Sequence, residues 1–152
     1  MRRQNVVALL HALSGAASMV ASVATRGEIA LRAGSLKFVG LASFGAGMLL
    51  FAVAVATCGR AFLGEVEPVT DRLVTGGPYR LVRHPVYLGM LVTTLGIALG
   101  LGSIGGLLLA GFIFLPMALW RARLEDAALA RRFGREWEAY AAHTSTLVPG
   151  VY

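Results

Sequence analysis

Apolar residues in this chain gather into long blocks separated by charged segments. Residues 5–25, 38–58 and 86–120 carry no acidic side chain, lysine or arginine, and each block is flanked by ionisable residues. A strand alternates and a surface helix shows a stripe, whereas unbroken apolar runs of about 20 residues match a bilayer core about 30 Å thick. The third block, from Val86 to Trp120, is too long for one ordinary crossing. Within it, Gly100-Leu101-Gly102-Ser103 followed by Gly105-Gly106 predicts a tight turn, and so a hairpin of two rather short helices over about 86–101 and 103–120. Gly96, Gly100, Gly102 and Gly106 are expected to let the two helices of this hairpin approach closely, and Pro116 to kink the second. The expected fold class is all-α: a polytopic membrane protein with about four transmembrane helices, a C-terminal helical hairpin and a cytoplasmic amphipathic C-terminal helix.

The first block has two readings. Arg2 and Arg3 before it and the small residues Ser22-Val23-Ala24 near its end resemble a secretory signal. Its length suits a crossing, and Ser14, Ser18 and Ser22 form a small-residue stripe suited to helix contact, which favours a retained span. In the second block Ser43 and Gly47 offer a similar small-residue face. Residues 59–85 form the longest polar connection, and Pro68, Pro78 and Pro85 forbid one continuous helix through it. A connection this long is expected to work as a loop over the site, more mobile without ligand. Beyond Trp120 the chain becomes charged, while Leu129, Phe133, Trp137 and Tyr140 recur on one helical face that Gly134 interrupts.

Composition agrees with this pattern: 57% of residues are hydrophobic, 14% are charged, and the mean hydropathy is +0.70. The length suits a single domain, 1–152. Fourteen basic residues against eight acidic ones would fit a nucleic-acid partner, but they fall between apolar runs rather than along one exposed helix. Under four crossings, Arg2, Arg3, Arg60, Arg72, Arg80, Arg83, Arg121, Arg123, Arg131, Arg132 and Arg135 share one side, leaving Arg26, Arg32 and Lys37 opposite. Positive charge accumulates on the cytoplasmic side, so both termini and the long loop are expected there, in a bacterial inner membrane. Cys58 is the single cysteine, which excludes an internal disulfide and reads as a small apolar residue near a helix end.

Acidic residues are missing from all four expected spans, which argues against a proton-coupled carrier. His11 is the one titratable side chain inside a span, and a lone histidine there reads first as a packed residue. The polar groups converge at one level instead. Arg83, His84 and Tyr87 open the third helix, Tyr79 precedes them, and Arg121 and Glu125 leave the fourth helix four residues apart on one face. A helical hairpin brings its outer ends together, so Tyr79, His84, Tyr87, Arg121 and Glu125 are expected to cluster at the cytoplasmic mouth. An interfacial belt of tyrosine and arginine is the alternative, but anchoring alone needs no proline-bounded Arg-His-Pro-x-Tyr segment.

These residues carry a resemblance. Gly77-Pro78-Tyr79, Arg83-His84-Pro85-x-Tyr87-x-Gly89, Arg121-x-x-x-Glu125-Asp126-x-x-Leu129 and Phe133-Gly134-x-x-Trp137-x-x-Tyr140, closing on Pro149, resemble the isoprenylcysteine carboxyl methyltransferase and phospholipid methyltransferase superfamily over about residues 38–150. The resemblance implies an integral membrane enzyme that uses S-adenosylmethionine, releases S-adenosylhomocysteine and needs no metal; neither the superfamily nor this chain has the Rossmann glycine signature. It implies a cofactor pocket of Leu73, Val74, Tyr79, His84, Pro85, Val86, Tyr87 and Glu125, and a catalytic, substrate-binding Arg121 that pairs with a substrate carboxylate. Asp126 departs from the second glutamate usual there, and the eukaryotic enzymes have more spanning helices. The implied partners are membrane lipids and a lipidic or amphiphilic methyl acceptor, foremost the carboxylate of an isoprenylcysteine-like molecule. A phospholipid or a small amine or thiol is the alternative acceptor, and a non-enzymatic membrane subunit or small transporter the alternative role. A carboxylate needs alignment rather than a base, and alignment can supply about 7–11 kcal/mol of a barrier. An amine or thiol must first lose a proton.

Overall fold

Six helical segments and two irregular turns make up the computed structural model of the protein, which describes residues 3–29, 33–59 and 72–150. In chain order they are α1 (Arg3–Ala24), α2 (Ala33–Cys58), a 3-10 turn (Gly77–Arg80), α3 (Pro85–Gly100), α4 (Ile104–Leu109), a π-helical turn (Ala110–Phe114), α5 (Leu115–Phe133) and α6 (Arg135–Ala142). Among the described residues there is no β-strand, only an isolated parallel bridge between Val82 and Ser145. Much of the 59–85 connection, with Arg60, Glu65, Glu67, Pro68 and Asp71, lies outside the described residues, as do Arg2 and Arg32.

Local chemistry explains where the helices begin and end. Pro85 starts α3, where a missing N–H costs nothing. Gly102, at φ 61, turns the chain between α3 and α4, and Ser103 caps α4 by accepting from Gly106 N at 2.9 Å. Glu28 reaches the same helix start from the end of α1, accepting from Ile104 N at 3.1 Å and Gly105 N at 3.3 Å. Thr25 and Ser103 share a 2.6 Å hydroxyl contact beside it. This end of the bundle is therefore sewn together by backbone and short polar side chains.

Contacts set the direction of each rod. α2 meets α3 with Gly40 against Gly100 at one end and Phe51 against Gly89 at the other. α1 packs on α3, α4 and α5, with His11 near Tyr87 and Thr25 near Ser103. The chain thus runs alternately down and up through α1, α2, α3 and the continuous helix of α4, the π turn and α5. Ser14, Ser18 and Ser22 are buried, and each hydroxyl folds back on a carbonyl of the preceding turn at 2.7–2.9 Å, so the serine stripe is the contact face of α1. Leu13 and Val20 on its other side, and Phe38, Leu41 and Leu49 of α2, are exposed.

Two expected details change. Gly96 and Gly100 face α2 rather than α4: a Cβ at Gly47 would fall 2.5 Å from Thr93 N and one at Gly89 2.7 Å from Phe51 N, and Gly40 and Gly96 meet equally close backbone. The irregularity expected at Pro116 lies just ahead of it, in the π turn. A proline ring collides with the carbonyl four residues earlier, and a wider turn there makes room. The hairpin helices run Pro85–Gly100 and from Ile104 on, the latter continuing to Phe133. Val6–Ala24, Gly34–Cys58 and Ile104–Phe133 are long and apolar enough to cross a membrane, which fits an integral membrane protein. α3, with 16 residues, reaches about 24 Å at 1.5 Å per residue and is a shorter apolar helix.

Candidate active site

The site is built where the start of α3 meets the middle of α5. Gly77, at φ 55, begins the 3-10 turn against Thr57 near the end of α2 and swings Tyr79 inward, where it is buried. Burial, reinforced by a hydrogen bond with Cys58, holds the Tyr79 hydroxyl well above the usual phenol range. Tyr140 of α6 donates to the Tyr79 carbonyl at 2.7 Å and so pins the turn from outside.

His84 precedes α3, and its side chain makes no cap to the helix, which leaves both ring nitrogens for α5. Nε2 lies 2.6 Å from Asp126 Oδ1, and Nδ1 lies 3.5 Å from Glu125 Oε2. Burial disfavours charge on the ring, but hydrogen bonds to Asp126 and Glu125 outweigh it and raise the pKa above the ordinary 6.5. The two carboxylates thus favour the charged form of the ring, with Nε2 facing Asp126 and Nδ1 facing Glu125.

Tyr87, one turn further along α3, is the hub. Its ring lies parallel to that of His84 at 5.5 Å, Arg121 Cζ sits 5.6 Å from its centroid, and its hydroxyl donates to Glu125 Oε1. The same carboxylate oxygen accepts from Arg121 Nε at 3.1 Å. Glu125 therefore gathers Arg121, Tyr87 and His84, while Asp126 gathers His84 and Arg83, whose Nε stands 3.4 Å away. Beneath this polar layer lies an apolar cluster of Ala54, Tyr79, Val86, Tyr87, Leu91, Phe114, Ala118, Ala122 and Leu147, with Val74 packed on it.

Five of the residues expected at the mouth, Tyr79, His84, Tyr87, Arg121 and Glu125, are brought together. Pro85 and Val86 are buried next to them, and Leu73, half-buried, precedes Val74. Asp126, whose role the sequence left open, is the closest partner of His84. Arg83 has a task the sequence did not signal: Nη1 donates to Ala141 O at 2.9 Å and to Thr144 O, and Nη2 donates to Thr146 Oγ1 at 2.6 Å. Backbone bonds from Arg83 N to Ser145 O, 2.8 Å, and from His84 N to Thr146 O, 3.1 Å, complete this clasp on the C-terminal segment. His11 is packed, as a lone histidine in a span is expected to be, but its packing partner is Tyr87. Among the described residues no group of three or more His, Cys, Asp or Glu side chains could hold a metal ion.

Comparison with known proteins extends this geometry to a family. Residues 35–136 match the family model described as phospholipid methyltransferase. A rice protein (Oryza sativa subsp. indica) named probable protein-S-isoprenylcysteine O-methyltransferase is 31% identical over 124 residues, covering 76% of this chain and 62% of the rice protein. Protein-S-isoprenylcysteine O-methyltransferase of Schizosaccharomyces pombe is 30% identical over 106 residues, 68% of this chain and 45% of the yeast protein. An Arabidopsis thaliana protein named protein-S-isoprenylcysteine O-methyltransferase B is 29% identical over 108 residues, 69% of this chain and 55% of its own length. The chain thus spans about three fifths or less of these curated relatives. The family match takes in α2, α3, α5 and every charged side chain of the His84 cluster, so the chain belongs to the phospholipid methyltransferase family.

Proposed function

We propose that the protein is an S-adenosylmethionine-dependent membrane methyltransferase whose acceptor is an amphiphile, foremost one ending in an isoprenylcysteine-like carboxylate. The observation that carries this reading is the convergence of Arg121, Glu125, Tyr87 and His84 on one another directly above an apolar cluster. The side chains fit the cofactor by kind. S-adenosylmethionine combines two cationic centres with hydroxyls and a flat adenine, and here Glu125 and Asp126 supply negative charge beside the apolar surfaces of Tyr79, Val86 and Leu147. Glu125 accepts from Tyr87 and Arg121 and faces His84, yet its side chain is 22% exposed, so it keeps a lone pair for a ligand.

When bound beside Glu125 and Tyr87, the cofactor would supply an activated methyl group for transfer to an oxygen of the acceptor, with its sulfur as the leaving group. A carboxylate acceptor releases no proton, so the site needs no free base, and His84, held between two carboxylates, acts as a donor that orients Glu125 and Asp126. Arg121 gives Nε to Glu125, and its planar fork retains further donors for an anionic group. Tyr87 fixes the Glu125 carboxylate through its hydroxyl and the His84 plane through its ring. With four crossings of a bacterial inner membrane as the reading, the arginine count supports a cytoplasmic placement of this end.

The test is transfer of labelled methyl from S-adenosylmethionine to an S-prenylated N-acetylcysteine by purified protein. A base-labile methyl ester is expected. Absence of transfer to any lipid or prenylcysteine, together with no calorimetric binding of S-adenosylhomocysteine, removes the reading. Phosphate suits the Arg121 fork as a carboxylate does, and the family model is described by phospholipid methylation, so a lipid headgroup is the second acceptor. Base-stable N-methyl label in extracted lipids would select it.

A further inference from the structure

Helix α1 carries a side chain that neither the motifs nor the mechanism uses. His11 is 2% exposed, stacks on Phe114 at 4.8 Å and stands edge-on to Tyr87 at 5.0 Å. Its Nε2 reaches no solvent and has no hydrogen-bond partner among the described residues. A buried nitrogen of this kind carries the desolvation cost of an unmade hydrogen bond, whereas phenylalanine would fill the same space without it. Such a group points to a partner that the described residues do not provide.

Its surroundings say where that partner sits. Tyr87, which His11 touches, is the ring beside Arg121 whose hydroxyl is held by Glu125. Arg121 and Glu125 both contact Tyr87, so one side chain separates them from His11. The opposite contact is just as specific to this place: Phe114 closes the π turn, is fully buried, and rests on Gly15, where a Cβ would lie 3.2 Å from Phe114 Cε2. π turns recur at functional sites because the extra residue re-aims a side chain. Here it presents Phe114 to the one imidazole in α1. Arg121 lies two turns beyond Phe114 on the same helix, so His11 occupies the layer below the charged cluster, on the side of the apolar core.

We propose that His11 is a substrate-binding residue: its Nε2–H donates to the anionic head of the methyl acceptor from the core side while Arg121 holds it from the charged side. This rests on the reading above and adds to it that α1 forms a wall of the acceptor site. A neutral imidazole suits the position, because a second full cation is not needed beside Arg121 and would be costly to bury. The class of acceptor selected is an amphiphile whose carboxylate lies at the boundary between the charged cluster and the apolar core.

The experiment compares wild-type protein with His11→Phe and His11→Gln, each as the full chain in lipid nanodiscs. KM for an S-prenylated N-acetylcysteine, affinity for S-adenosylhomocysteine, and thermal stabilisation by the prenylcysteine are measured. His11→Phe keeps the ring contacts and removes the nitrogen, so KM is expected to rise about tenfold with S-adenosylhomocysteine affinity within twofold. His11→Gln restores a donor and is expected to recover most of the loss. KM within twofold of wild type in His11→Phe overturns the proposal, as does a parallel fall in S-adenosylhomocysteine affinity, which would make His11 a support for Tyr87. If wild-type protein transfers no methyl, stabilisation by the prenylcysteine that His11→Phe abolishes still upholds the His11 contact. No stabilisation of wild type then overturns it along with the acceptor reading.

Discussion

His84 and Asp126, forty-two positions apart, meet at 2.6 Å between Nε2 and Oδ1. Together with Glu125 at 3.5 Å on the other ring nitrogen, this contact joins the start of α3 to α5 through one buried imidazole ring. The short arm of Asp126 suits the separation, so the departure from a second glutamate leaves the cluster closed.

The same contact is expected to make the fold pH-sensitive. The folded pKa of His84 is raised above its ordinary 6.5, so the stability it contributes is fully present below that value and is lost as pH rises through the folded one. Thermal unfolding of detergent-solubilised protein is expected at progressively lower temperature as pH is raised above neutrality. His84→Gln should flatten that slope. Asp126→Asn should reduce it and cost about 1.5–3 kcal/mol, the range for a hydrogen bond to a charged group. An identical slope in wild type and His84→Gln would show that another group controls it.

Glu125 accepts from Tyr87 and Arg121 and faces His84, so its replacement leaves three donors competing for nothing. Glu125→Ala is expected to weaken S-adenosylhomocysteine binding tenfold or more, and Tyr87→Ala to do the same, with helix content unchanged by circular dichroism. Calorimetric affinities equal to wild type in both variants would remove these residues from the cofactor site.

Arg83 contacts three residues of the C-terminal segment through its two terminal nitrogens. A lysine at this position provides one ammonium and cannot span them. Arg83→Lys is therefore expected to speed amide hydrogen exchange in residues 143–147, with α1 and α2 unaffected. Unchanged exchange there would show that the backbone bonds to Ser145 and Thr146 suffice.

The α2–α3 contact leaves no room for a Cβ at Gly40, Gly47, Gly89 or Gly96. Gly47→Ala would place a methyl 2.5 Å from Thr93 N, against backbone that cannot rotate away. A loss of about 1–3 kcal/mol is expected, the usual range for overpacking, read as a lower unfolding temperature. Gly45→Ala meets open space and serves as the control.

Much of the architecture is legible in the chain because a membrane imposes simple rules. Apolar block length, arginine placement and the Gly100–Gly106 turn lead to the helix order and the neighbouring ends of the last two rods, and with them to the meeting of His84 and Tyr87 with Arg121 and Glu125. A small-residue stripe such as Ser14-Ser18-Ser22 marks a packing face, but these rules leave open which partner each face meets. A helix apolar on all sides has no stripe to read, so it took the tertiary structure to turn Gly96 and Gly100 toward α2. The same holds for His11, whose partners Tyr87 and Phe114 are more than seventy residues away and depend on the rotation of α1. Asp126 and Arg83 follow suit: sequence placed both near the mouth, but their pairing with His84 and the C-terminal segment depends on side-chain directions at ångström scale. Composition and spacing therefore determined the rods, their order and the level of the charged groups, while packing alone decided which of those groups touch.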